Sequence, residues 1–300
     1  MIFKIFILSS IIIYIIYVIN LSNKKKKLSK SKIITKDNII PAYLQNYGSI
    51  NIYTKYWINT NSKILLIFSN GFAGNMLQIP ETLIKNITDE YSLLLWDYPG
   101  VGMSTGFQNS DGSSSLTFEN AAECINIIAK KMFSLNYNIN KIITIGYSWG
   151  GIASQYALKY DIIRAAISIS AGCTLCKNLP GLKNIYNVQS CNKQKYGLGK
   201  ISKLLFYPPD IDQNNKELKI VNNTNRFLNN NTYSKYIKPL CPLNVIEAQK
   251  KEFKKLRNTD NNPGACLIAK QTGKMVYYIH GVNDCVIDNR LSKNAVRFNP

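Results

Sequence analysis

Histidine is nearly absent from this chain: His280 is the only one in 300 residues. Acidic side chains are scarce as well, 17 against 37 Lys and Arg, which leaves a net charge of +20. No acid precedes Asp37, and Lys4, Lys24, Lys25, Lys26, Lys27, Lys30, Lys32 and Lys36 bring +8 to that first stretch. The remaining +12 is spread over residues 37–300 without a basic stripe. That distribution reads as a solvated lysine surface and excludes a nucleic-acid partner. Lysine, asparagine and isoleucine are abundant together, as a bias acting on the whole gene would produce. No internal repeat is present. The seven cysteines are odd in number and scattered, which argues for free thiols. Cys173-x-x-Cys176, with Cys191 and Cys241 beyond, fits no common zinc-finger spacing, so no metal or organic cofactor is implied. Asn86, Asn222 and Asn230 open Asn-x-Thr sequons that arise easily in so asparagine-rich a chain.

Ile5 to Leu21 is a 17-residue apolar run broken only by Ser9, Ser10 and Asn20. A bilayer crossing takes about 20 residues. Small residues of a signal-peptidase site are missing around Tyr17-Val18-Ile19-Asn20-Leu21, so an uncleaved membrane anchor over 1–22 is expected. Lys24–Lys27 follow the run, and only Lys4 and the amino terminus precede it. The positive-inside rule then leaves the body cytosolic. Residues 23–40 read as a basic, polar tether.

Beyond the tether, Gly48 to Ile58 alternates polar and apolar residues, as a half-exposed antiparallel strand does. Lys63–Ser69, Tyr91–Asp97, Lys141–Gly146, Ala165–Ser170 and Met275–His280 are short apolar runs of the kind buried on both faces of a parallel sheet. Helical spacing occupies the intervals, over Leu116–Leu135 (Ala121, Ile125, Ile128, Met132) and Gly151–Tyr160. Alternating strands and helices imply an α/β class with a mostly parallel sheet covered on both sides. From 172 to 272 the rhythm breaks, with one helical pattern at Asn244–Arg257, and an inserted cap is expected there. The core is then 41–171 plus 273–300.

Four segments carry chemistry. Gly146-Tyr147-Ser148-Trp149-Gly150-Gly151 lies directly after a buried strand and before a helix, the setting of a nucleophile elbow, with Ser148 on the turn. Asn70-Gly71-Phe72-Ala73-Gly74-Asn75 follows the first buried strand, and such a turn can aim an amide at a developing oxyanion. The amides of Phe72 and Trp149 are the candidates. Asp97, ending the third strand in Trp96-Asp97-Tyr98-Pro99-Gly100, reads as a loop brace. Ile279-His280-Gly281-Val282-Asn283-Asp284 closes the last strand, and Asp284 is the candidate acid that would orient a histidine.

These four blocks in this order resemble the α/β-hydrolase superfamily. The phrases Asn-Gly-Phe-Ala-Gly-Asn and Leu-Leu-Trp-Asp-Tyr-Pro-Gly-Val-Gly-Met-Ser-Thr-Gly are similar to those of membrane-anchored α/β-hydrolase-domain proteins. The resemblance covers 60–172 and 273–290. It implies an α/β-hydrolase fold and acyl transfer through Ser148 from a small ester, thioester or lipid substrate. Asn70 departs from the histidine those relatives often carry. The larger departure is that no histidine follows Asp284, where the family places its base, and His280 falls on a strand-end position that is structural in the family. Three expectations follow in order: a C-terminal piece beyond Pro300 supplies the base; the chain is a catalytically inactive binding or scaffold protein; or His280 acts as a non-standard base.

Overall fold

A computed structural model describes residues 32–44, 48–72, 74–76, 79–106, 116–135, 137–172 and 264–281, with most of 244–252. Seven strands form one sheet in the order β1-β2-β4-β3-β5-β6-β7. They are β1 (Ile33–Leu44), β2 (Gly48–Asn59), β3 (Ile64–Ser69), β4 (Ser92–Trp96), β5 (Lys141–Tyr147), β6 (Ile163–Ile169) and β7 (Val276–Ile279). β1, β2 and β4 run antiparallel; β4, β3, β5, β6 and β7 are parallel, with Ser69 opposite Gly146, Tyr147 opposite Ile169 and Ile169 opposite Ile279. The five expected apolar runs are the five parallel strands.

The even/odd alternation of β3 and β4 divides the core into two layers. Leu65, Ile67, Leu94 and Trp96 face one side, which is covered by α2 (Phe118–Ser134), α3 (Trp149–Tyr156) and α4 (Gly264–Thr272). Leu66, Phe68, Leu93, Leu95 and Ile145 face the other, where Ile84 and Ile87 of α1 (Glu81–Thr88) pack. The stripe predicted for α2 is its buried face, and Thr117 caps it by accepting the Asn120 N–H at 3.1 Å.

Residues 33–40, expected as tether, are instead the first eight residues of the 12-residue β1. This is an edge strand bonded on one side only, so Thr35, Lys36 and Asp37 stay in water, Asn38 is half-buried, and no apolar alternation marks them. Part of the span expected as a cap also shares the core. Val245, Ala248, Ala265 and Ala269 are buried in the layer that holds Trp149. Glu252 accepts the Phe118 N–H at 3.2 Å, at the start of α2. Residues 173–243 lie outside the described residues. So do 1–31, with the expected anchor; no described helix is long and apolar enough to cross a membrane.

Candidate active site

The C-terminal ends of β3, β4, β5, β6 and β7 lie along one edge of the sheet, and Phe72, Ser148, Trp149 and His280 follow the ends of β3, β5 and β7 there. β5 delivers Ser148 into a sharp turn with φ 53° and ψ −117°, and α3 starts at the next residue. A side chain in that region costs about 1–3 kcal/mol and persists only where its surroundings enforce it. The enforcement is visible. Ser148 N–H donates to Ile169 O at 2.8 Å, and Ser148 O accepts from Gly151 N–H at 2.9 Å. Any Cβ at Gly146 would run into the Gly150 carbonyl, and one at Gly150 would run into the Ser69 and Asn70 carbonyls. One at Gly151 would lie 2.8 Å from both Ala171 Cβ and Ser168 Oγ. Glycine at all three positions is what lets strand, turn and helix close on one another.

The first N–H groups of a helix have no acceptor within it, so the Trp149 amide is available beside Ser148, at the positive end of the α3 dipole. The Trp149 ring is fully buried, stacked on Phe118 at 4.6 Å between centroids and edge-on to Tyr98 at 5.1 Å. Such ring contacts add about 0.5–1.5 kcal/mol each beyond burial. They fix the residue that carries the candidate oxyanion donor.

The turn after β3 reaches over α3, since the Ser69 and Asn70 carbonyls touch Gly150. Three bonds hold it. Tyr98 Oη donates to Asn70 O at 2.6 Å, Gly74 N–H donates to Gly71 O at 3.0 Å, and Met76 N–H donates to Asp97 Oδ1 at 3.0 Å. Phe72 sits inside that span. Asp97 is 1% exposed and accepts from Met103 N–H through Oδ2 at 3.4 Å, while its own carbonyl accepts from Ser104 Oγ at 2.8 Å. It braces the loops after β3 and β4, as its position suggested. Burial holds the Tyr98 phenol well above its ordinary pKa, so it stays a donor.

His280 follows β7 and is half-buried. Ser148 bonds to Ile169 O, and Ser170 N–H bonds to Ile279 O at 2.7 Å. Ser148 and His280 therefore stand on the same edge with β6 between them, about 10 Å apart at the backbone for two strand spacings. Asp284 lies outside the described residues, as do Cys173, Cys176, Cys191 and Cys241. Among the described residues no group of three His, Cys, Asp or Glu could hold a metal ion. Cys124 is buried and its thiol is pushed up, mainly by that burial, which makes it inert.

One part of the site has no motif. Gln155, wholly buried on α3, donates through Nε2 to Gly151 O at 3.2 Å, Ser168 Oγ at 2.9 Å and Gly172 O at 3.2 Å; its Oε1 accepts from Tyr278 Oη at 2.9 Å. This network ties the helix behind Ser148 to β6 and β7. A lone glutamine in the apolar run Ile152-Ala153-Ser154-Gln155-Tyr156 was its only signal in the sequence.

The comparisons with known proteins agree with this geometry. A family model described as alpha/beta hydrolase fold matches residues 64–196, which include the turn after β3 and the Ser148 elbow. An α/β-hydrolase fold protein from Chitinophaga pinensis superposes with a TM-score of 0.57 at 17% identity, covering 88% of this chain and 86% of that one. A thermophilic esterase from Thermogutta terrifontis gives 0.56 at 14% identity, covering 88% and 87%. The carboxylesterase structure from Nitrososphaera gargenis gives 0.56 at 14%, covering 86% and 85%. Among curated sequences, an uncharacterized protein of Acanthamoeba polyphaga mimivirus is 26% identical over 184 residues, 61% of this chain, and the match spans only 55% of that relative's length. The chain has the α/β-hydrolase fold.

Proposed function

We propose that this protein is a membrane-tethered serine hydrolase that cleaves carboxylic esters or thioesters, with lipid-like acyl compounds as the substrate class. The observation that carries the reading is Ser148 itself. It is a half-buried hydroxyl on a strained turn, at the N-terminus of α3, with the Gly71–Met76 loop packed over that helix end. Ser148 Oγ attacks the acyl carbon and its proton passes to a base. The carbonyl oxygen becomes an oxyanion facing the amides of Phe72 and Trp149. Collapse breaks the C–O or C–S bond, the alcohol or thiol leaves with the proton, and water then hydrolyses the acyl-enzyme. Asp284 is the proposed orienting acid, and His280 is the one imidazole these residues offer as base. The apolar run 5–21 would hold the body at a membrane surface, with Lys24–Lys27 toward anionic headgroups. No cofactor is required.

The second reading, an inactive binding or scaffold protein on the same fold, is favoured by one observation: the sole histidine stands two strands from Ser148. Fluorophosphonate labelling of the full chain, Ser148→Ala and His280→Gln separates the two. The hydrolase reading expects labelling of the wild type and none of Ser148→Ala. Loss of labelling in His280→Gln would assign the base, and a folded wild type without labelling would favour the scaffold.

A further inference from the structure

The Gly71–Met76 loop is tied to the end of β4 at Met76 by Asp97 and at Asn70 by Tyr98, and at Gly71 itself the nearest support is another residue. That residue is Tyr147. Its side chain leaves β5 on the same face as Ile145, in strand alternation opposite to Gly146, which faces α3. There Gly71 lies against it: a Cβ at Gly71 would stand 2.9 Å from Tyr147 Cδ1, 3.2 Å from Cε1 and 3.4 Å from the Tyr147 carbonyl oxygen. Gly71 is buried, whereas Tyr147 is 50% exposed. The ring is thus a support with the loop on one side and solvent on the other.

We infer that Tyr147 is a positioning residue for the oxyanion loop: its ring sets the height of Gly71 above the sheet, and through Gly71 the position of the Phe72 amide relative to Ser148. Glycine at 71 lets the loop sit against the aromatic edge, because a Cβ there would push the Tyr147 ring or the loop aside. The inference rests on the serine-hydrolase reading for its catalytic consequence, but the support of the loop is a structural statement of its own. Because Tyr147 is half exposed, truncating it opens no sealed cavity, and its effect falls on the loop more than on global stability.

Two readouts on the full-length protein test it. Hydrogen exchange at Gly74, whose N–H closes the turn onto Gly71 O, and at Met76, bonded to Asp97, reports loop order. The rate of fluorophosphonate labelling, with kcat and KM on p-nitrophenyl butyrate, reports the oxyanion donor. Losing one such donor outright costs about 100- to 1,000-fold in kcat, so Tyr147→Ala is expected to lower kcat and the labelling rate by roughly tenfold or more, with KM nearly unchanged. It should also speed Gly74 exchange. Tyr147→Phe keeps the contacting ring atoms and should restore both. Tyr277→Ala, an exposed aromatic on β7, serves as the control and should change neither. Gly71→Ala should mimic Tyr147→Ala in the wild-type background and add little to it in the double variant, because both changes break one contact.

Loop exchange in Tyr147→Ala that equals the wild type, or additive Gly71 and Tyr147 effects, would overturn the inference. A wild type that never labels, but whose loop exchange still responds to Tyr147→Ala and recovers in Tyr147→Phe, would leave the support established and the hydrolase reading refuted.

Discussion

Ser148 occupies a conformation, φ 53° and ψ −117°, that glycine adopts far more readily than any residue with a Cβ. Ser148→Ala would keep the strain while removing the hydroxyl. Ser148→Gly would remove both, so it should melt higher than Ser148→Ala by the equivalent of about 1–3 kcal/mol. Equal melting points for the two would mean that the turn is not strained. Asp97 offers a second test. Each carboxylate oxygen accepts one backbone N–H, from Met76 and from Met103. Asparagine has one acceptor and would turn an NH₂ toward an N–H donor, so Asp97→Asn should lose about 1–3 kcal/mol in chemical denaturation and loosen the Gly71–Met76 loop. The sharp turn at Ser148 was readable in the sequence because Gly-x-Ser-x-Gly is a local pattern between a strand and a helix. The Gln155 and Tyr147 roles were not. Their meaning depends on which neighbours β3, β6 and β7 bring to them, and no short-range pattern encodes that.

At the level of elements, the parallel strands were legible because burial on both faces demands uninterrupted apolar runs, and β3 to β7 have them. β1 was not, because an edge strand is held by the ladder to β2 while most of its side chains stay in water. α2 shows how a helix end is set by few residues. Thr117 Oγ1 accepts Asn120 N–H, and the Glu252 carboxylate, from the 244–252 segment, accepts Phe118 N–H. Thr117→Ala should therefore cost about 0.5–2 kcal/mol, read as a lowered melting temperature with labelling at Ser148 retained. Unchanged stability would mean that Glu252 alone satisfies this end. The 244–252 segment also explains why the cap boundary was hard to place from composition. Its described apolar residues face the hydrolase core, and the polar sequence around them hides that.

On the scale of the whole molecule, two phenols pack against the core, Tyr56 buried and Tyr160 half-buried. Tyr56 is pushed up to about 12 by burial and then by its hydrogen bond to Tyr137, and Tyr160 to about 12 by burial and neighbouring Glu123. In the unfolded chain both ionise near the ordinary phenol value of 10.0. The folded state thus holds their protons longer. The stability they lend is complete below pH about 10 and disappears as pH rises through 12. Thermal melts between pH 8 and 12 should fall over that window; a flat profile would contradict the burial of these rings. The fold itself was legible from the order of strands, glycine turns and helices, and the superposition on esterases of 14% identity shows that this order, more than residue identity, carries it.

The account stands on Ser148 being an activated nucleophile. The most direct measurement is mass-spectrometric mapping of a fluorophosphonate adduct on the full-length, folded protein. The expected result is one phosphonylated peptide, the one containing Ser148, absent from the Ser148→Ala variant. A cooperatively folded protein with no adduct, or with its adduct on another residue, would contradict it.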